Sequence, residues 1–214
     1  MLAVALAVGL GAPVLERAHA AARWPVTAAD VASGHAALAA LVVAPPVPGG
    51  DYDRARFGTP WADVDRNGCD TRNDVLRRDL TDVRLDSDGC TVLAGHLVDP
   101  YTGDEIHFRR GAGSSDVQVD HVVALADAWA SGADTWDART RQVFANDPAN
   151  LLAVAGDANQ DKGAADAADW LPQHGYVCVY ALRQVRVKAA YGLRVTPDEH
   201  AALGSALAGC TTAG

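Results

Sequence analysis

Apolar residues recur at helical spacing from Thr27 to Val43, and Ala44-Pro45-Pro46-Val47-Pro48-Gly49-Gly50 then breaks the run. A helix followed by a linker or arm is expected. Thr71 to Leu80 reads as a second helix. From Leu93 to Phe108 the pattern becomes strand-like on both sides of Asp99-Pro100-Tyr101-Thr102-Gly103-Asp104, a turn-rich stretch that predicts a hairpin connection. Val117 to Asp120 predicts a strand, Val122 to Trp129 and Asp137 to Phe144 predict helices, and Leu151 to Val154 predicts a short strand. A helix is expected over Ala158 to Trp170. Thr196-Pro197-Asp198-Glu199 has the form of a capping box with proline at the first helical position, opening a last helix that reaches toward Cys210.

The first fifteen residues are uncharged and mostly Ala, Val, Leu and Gly, and Ala18-His19-Ala20 supplies the small-x-small pattern of a signal-peptidase site. The apolar run is shorter than the roughly 20 residues that span a bilayer. Residues 1–20 therefore read as a signal peptide that takes His19 with it. Secretion is expected, with no membrane attachment after cleavage. Residues 21–50 then form the N-terminal helix and Pro/Gly-rich linker, and 51–210 a single domain, for which 49% hydrophobic residues supply a core. The four cysteines, Cys69, Cys90, Cys178 and Cys210, lack C-x-x-C spacing, so disulfides outrank a zinc site in an exported chain. Three pairings are open. Cys69 with Cys90 and Cys178 with Cys210 is favoured, because each pair closes a local loop of roughly 20–30 residues, a staple worth about 3 kcal/mol.

Eighteen Lys and Arg against 27 Asp and Glu give a formal charge of −9, which argues against a tight nucleic-acid binder. It leaves room for an enzyme that needs only local positive charge. Between Val119 and Gly163 the chain collects an acid, a base, two amides and a cation: Asp120, His121, Asn150, Asn159 and Lys162. That is the inventory of a metal-assisted phosphodiester cleavage. Arg109, Arg110 and Lys162 are the basic residues near it in sequence and the candidate substrate contacts. A second pattern runs from Asp63 through Asp65, Asn67 and Gly68 to Asp74. It matches a calcium loop except for Asp in place of the final Glu, and the alternative is an Asx-rich turn leading into the helix at Thr71. G-x-S-x-G, H-E-x-x-H and phosphate-loop motifs are absent. His35, His96, His107, His174 and His200 are scattered and read as surface or satisfied polar residues. His107 stands out, because its strand leads toward Asp120.

Val119-Asp120-His121-Val122-Val123, Asn150-Leu151-Leu152-Ala153-Val154 and Asn159-Gln160-Asp161-Lys162-Gly163, in that order, resemble the His-Asn-His (HNH) endonucleases. The flanks Gly68-Cys69-Asp70-Thr71-Arg72-Asn73-Asp74-Val75-Leu76, Asp99-Pro100-Tyr101-Thr102-Gly103 and Phe144-Ala145-Asn146-Asp147-Pro148-Ala149-Asn150 are similar to small secreted HNH-family proteins related to the C-terminal nuclease domain of the restriction enzyme GmrSD. The resemblance covers roughly residues 51 to 210. It implies an α+β fold with a ββα-metal core, inserted and flanking helices and a β-hairpin. The implied activity is a metal-dependent endonuclease acting on DNA, with RNA as a second substrate class.

In chemical terms His121 is the candidate general base, since imidazole is neutral and basic near pH 7. Asp120 and Asn159 offer hard oxygens to one Mg2+ or Mn2+, and Lys162 offers a point charge to phosphate. Asn150 suits hydrogen bonds that fix the loop carrying His121. Asp127, Asp157 and Asp161 are further acids near the site, and Asp161 should face away from Asn159 on a helix. No stable protein partner is expected. Two other readings are a catalytically silent HNH-fold binding module, for which the acidic surface speaks, and a calcium-stabilised extracellular interaction domain, which rests on Asp63 to Asp74.

Overall fold

A computed structural model describes residues 23–47 and 51–213. The expected signal segment and Pro48-Gly49-Gly50 lie outside the described residues. The fold is α+β, built on two small antiparallel sheets. Helix α1 (Ala28–Ala40) opens on a capping box in which Thr27 Oγ1 accepts from Asp30 N at 3.0 Å and Asp30 Oδ2 accepts from Thr27 N at 3.1 Å. Its apolar face joins the largest core cluster, where Leu38 and Leu41 meet Leu182, Leu203 and Leu207. Val43 then bridges to Val195. The N-terminal helix thus packs into the domain core through Leu38 and Leu41, whereas the stretch from Val42 to Val47 runs over the surface, held by backbone bonds from Ala44 N to Val195 O and from Val47 N to Ala130 O.

Helix α2 (Thr71–Asp79) is capped by Asp70, whose Oδ1 accepts from Asn73 N at 2.8 Å. Strands β1 (Thr81–Leu85), β2 (Val92–Val98) and β3 (Glu105–Arg109) follow in sheet order β1-β2-β3. The β2–β3 register runs from Ala94 opposite Arg109 to Val98 opposite Glu105. Asp99 closes their turn, with its Oδ2 accepting from Thr102 N and Oγ1, both at 2.8 Å.

The second sheet pairs β4 (Val117–His121) with β5 (Leu151–Ala155), from Val117 opposite Ala155 to His121 opposite Leu151. Helices α3 (Leu125–Ala130) and α4 (Ala138–Ala145) are inserted between the two strands, and α5 (Gly156–Lys162) follows β5 directly. This strand, strand and helix unit sits between two apolar clusters. Val117, Val119, Leu151 and Ala153 face α2 and the first sheet, whereas Leu152 and Val154 face α6 (Val177–Tyr191). Helix α7 (Pro197–Ala208) completes the helical side. No helix among the described residues is long and apolar enough to cross a membrane.

The free edge of β5 is satisfied by side chains instead of a third strand. Ala153 N donates to Asp79 Oδ2 at 2.8 Å and Ala155 N to Asp99 Oδ1 at 2.9 Å. Leu151 O accepts from Arg78 Nη2 at 2.7 Å and Arg183 Nη2 at 2.8 Å. Those contacts close an edge that would otherwise present unpaired backbone groups. Both disulfides form with the favoured pairing, Cys69–Cys90 and Cys178–Cys210, with Cα separations of 5.3 and 5.5 Å. The first ties the loop before α2 to the β1–β2 turn, and the second ties α6 to the end of α7.

Five elements depart from the sequence expectations. The helix expected over Ala158 to Trp170 stops at Lys162, because Gly163 turns the backbone to φ 53° and ends it. The helix expected from Val122 starts at Leu125, since Val122 and Val123 are still bonded to Asn150. At α7 only half of the capping box forms: Thr196 Oγ1 accepts from Glu199 N at 3.0 Å, but the Glu199 carboxylate turns inward to Lys188. Strand β1 and the long helix α6 are not foreshadowed by the hydrophobic pattern. In α6 the polar residues Gln184 and Lys188 lie on the buried face, which hides its apolar stripe.

Candidate active site

Adjacent strand residues point to opposite faces. Asp120 and His121 nevertheless border one cleft of about 340 Å³, because β4 ends at His121 and the chain turns away into α3. Asn159 and Gln160 of α5 form the facing wall. The junction between β5 and α5 is tight, and a Cβ on Gly156 would lie 2.1 Å from Ser115 O. Glycine at this position lets α5 start immediately after the strand, which brings Asn159 to the end of β4. Asn159 Nδ2 donates to Gln118 Oε1 at 2.8 Å, which fixes the amide plane and leaves the oxygen as its free end.

His121 is only 6% exposed. Its Nε2 lies 2.8 Å from Ala145 O. A carbonyl can only accept, so in the neutral ring the proton sits on Nε2 and Nδ1 holds the lone pair. Burial pushes the imidazole down to about 4, opposed by the bond to Ala145. Trp61 lies nearly parallel to the ring at a centroid distance of 6.3 Å. Asn150 is fully buried and grips the chain just beyond His121. Its Oδ1 accepts from Val123 N at 2.8 Å and its Nδ2 donates to Val123 O at 3.1 Å. It does not border the cleft, so its effect on His121 is one of position.

Asp120 is held by two buried donors. The Tyr101 hydroxyl donates to Oδ2 at 2.6 Å, and Lys162 Nζ lies 3.0 Å from Oδ2 and 3.2 Å from Oδ1. Burial pushes the Asp120 carboxyl above the usual carboxylate range, and Lys162 and Tyr101 oppose that rise. Lys162 also donates to His121 O at 3.0 Å and is 1% exposed. Its position therefore differs from that of the phosphate-facing cation expected from sequence. It is an internal counter-charge that locks α5 onto the end of β4.

Among proteins of known family, the GmrSD restriction endonuclease C-terminal domain profile matches residues 70–206. The chain belongs to that family. A relative in Arthroderma benhamiae, described as an uncharacterized secreted protein, is 38% identical over 189 residues, covering 87% of this chain and 89% of its own. Secretion, expected here from the N-terminal segment, is matched by that description. No solved structure matches the chain significantly.

The GmrSD-family match includes every cleft residue named from the sequence, but the structure rearranges several supporting ones. Arg109 and Arg110 do not border the cleft. They belong to the end of β3 in the other sheet, where Arg110 donates from Nε to Val92 O at 2.8 Å and from Nη2 to Asn73 Oδ1 at 2.6 Å. His107 pairs across the same sheet with His96, ring centroids 4.4 Å apart, and takes no part in the site. Asp127 is half-buried and pairs with Lys188 at 2.9 Å. Asp161 faces away from the cleft as its helical position requires, and accepts from Trp170 Nε1 at 3.0 Å. Asp157 is exposed at the start of α5.

The Asp63 to Asp74 segment is an Asx-rich turn. Asp63 accepts from Asn67 N and Gly68 N, Asp65 from Asn67 N, and Asn67 from Cys69 N, at 2.8 to 3.1 Å. Among the described residues no three His, Cys, Asp or Glu side chains are gathered to hold a metal, here or at the cleft. The cleft's own hard donors are one carboxylate, Asp120, and one amide oxygen, Asn159. The turn pattern and the family resemblance both include Tyr101 without marking it as a partner of Asp120, and Tyr52, Arg54 and Trp61 precede the matched segment and carry no motif.

Proposed function

We propose that this member of the GmrSD C-terminal family is a secreted metal-dependent endonuclease that hydrolyses phosphodiester bonds of DNA, and of RNA as a second substrate. The observation that carries the reading is the state of His121: a neutral imidazole whose Nε2 is committed to Ala145 O, leaving Nδ1 as the basic nitrogen, at a cleft shared with Asp120 and Asn159. In this reading His121 takes the proton of the attacking water. That role is worth typically 10²–10⁴-fold. Asn150 holds the segment after His121 and so fixes the direction of the ring. Tyr101 and Lys162 orient the Asp120 carboxylate and offset its burial.

One carboxylate and one amide oxygen suit a hard cation that keeps most of its waters, Mg2+ or Mn2+, rather than zinc. Such an ion, when bound, supplies positive charge beside the phosphate and stabilises the departing oxygen. Asp120 and Asn159 would hold it. The test is cleavage of supercoiled plasmid by the disulfide-bonded protein with Mg2+ or Mn2+, with EDTA as control and His121→Ala in parallel. Metal-dependent nicking that drops at least about 100-fold in the variant is the expected result. A folded wild-type protein that cuts neither duplex DNA, single strands nor RNA under any metal or pH would transfer the reading to a silent binding module.

A further inference from the structure

The segment from Asp51 to Trp61 lies before the stretch matched by the family, yet it forms one wall of the cleft through Tyr52 and Arg54. Arg54 is the basic residue in the cleft lining, exposed, and part of no ion pair among the described residues. It also borders the small cavity enclosed by Trp61 and His121. Lys162, Arg109 and Arg110 are all committed elsewhere or remote from the cleft. We propose that Arg54 is the phosphate-binding residue of the site, contacting the substrate backbone next to the bond that His121 attacks; this rests on the nuclease reading above.

The physical case has two parts. A polyanion approaching a chain of net charge −9 needs a local cation, and a guanidinium can meet two phosphate oxygens at once. The cation must also be held in place, and the segment around Arg54 is well anchored. Phe57 is buried between Trp129 and Phe144, each at a centroid distance of 6.2 Å, and the Tyr52 ring lies 6.3 Å from Trp129. Asp53 Oδ1 caps the short 3-10 turn Arg54–Phe57 by accepting from Ala55 N at 2.9 Å. Arg56, two residues on, lies over the Trp129 ring at 5.1 Å, and its carbonyl accepts from Arg141 Nε at 3.0 Å. Arg56 is thus used for packing, whereas the Arg54 guanidinium is left at the cleft. Ordering of the arm before substrate arrives reduces what binding must spend on entropy.

The test uses the full disulfide-bonded chain. Labelled single-stranded and duplex DNA oligonucleotides are titrated in EDTA onto His121→Ala protein, with fluorescence anisotropy read across a salt series. Addition of Arg54→Ala is expected to weaken binding about 10- to 100-fold, and to reduce the slope of log affinity against log salt by about one phosphate contact. Arg54→Lys should restore the slope and part of the affinity. Arg56→Ala should leave both unchanged. In the otherwise wild-type enzyme, Arg54→Ala should lower kcat/KM chiefly through KM. Unchanged affinity and slope in Arg54→Ala, with the wild type still cutting, would overturn this inference alone. Loss of binding in both Arg54 variants together with a lower unfolding midpoint would also overturn it, by showing a structural role. Absence of both cleavage by the wild type and binding by His121→Ala would remove the nuclease reading beneath it.

Discussion

At the scale of single residues, the two lysines of the chain explain how charge is used. Both Lys162 and Lys188 are buried in ion pairs, so neither is available to a ligand from outside. Lys162 neutralises Asp120 and at the same time binds the carbonyl of His121. Its removal would leave a buried carboxylate without its counter-charge. Lys162→Ala is therefore expected to cost about 3–5 kcal/mol in urea-induced unfolding, far more than an exposed lysine would. The neighbouring imidazole behaves differently. Burial depresses it, so it stays neutral across the physiological range. Because its folded value of about 4 lies below the ordinary 6.5, its contribution to stability is present above pH 6.5 and is lost as pH falls toward 4.

At the scale of elements, the site depends on the directness of the β5–α5 connection. A strand that runs straight into a helix without a loop places the first turn of that helix against the partner strand. Gly156 N donates to Asp116 O at 2.9 Å, and the Ser115 carbonyl occupies the space a side chain would need. The Ser115 carbonyl is backbone and cannot swing aside as the end of a flexible side chain could. Gly156→Ala should therefore displace α5 from β4 and destabilise the fold by about 1–3 kcal/mol, measurable as a lower unfolding midpoint. Nuclease activity should fall more steeply than stability, since Asn159 and Lys162 both ride on α5. The same shortness explains why the helix could not be bounded from sequence. Ala164, Ala165, Ala167 and Ala168 continue a helix-favouring composition past Lys162, and the turn at Gly163 overrides it.

At the scale of the whole molecule, three helices are joined by one buried network. Asp127 of α3, Lys188 of α6 and Glu199 of α7 meet with Lys188 Nζ 2.9 Å from Asp127 Oδ2 and 2.6 Å from Glu199 Oε1. Two acids share a single cation in a desolvated place. Burial raises the Glu199 carboxyl to about 7 from 4.5, with Lys188 opposing and Asp127 adding to the rise. A carboxyl whose folded value is raised gives its full stabilisation below pH 4.5, and that stabilisation is lost as pH rises through about 7. Thermal unfolding midpoints should accordingly fall between pH 5 and 8. Glu199→Gln should flatten that dependence, and an equally steep profile in the variant would show that another group is responsible.

The sequence by itself determined the order of the chemistry and the composition of the core. Val119 to His121, Asn150 and Asn159 carry the family resemblance whatever the packing, and the hairpin at Asp99 to Asp104 and both cysteine pairs follow from local turn chemistry and loop length. These features are local, so neighbouring residues suffice to specify them. What the tertiary structure decided was which charges reach the cleft. Lys162, Arg109 and Arg110 are near the site along the chain, yet the first is drawn inward by Asp120 and the other two belong to another sheet. Arg54, distant in sequence, is carried to the cleft because Phe57 is buried against Trp129 and Phe144. Helix α6 shows the same limit, for its buried Gln184 and Lys188 are tolerable only because Val122 O, Asp127 and Glu199 arrive from elsewhere to bind them. A polar group is accepted in a core when partners are waiting for it, and those partners are set by the fold as a whole.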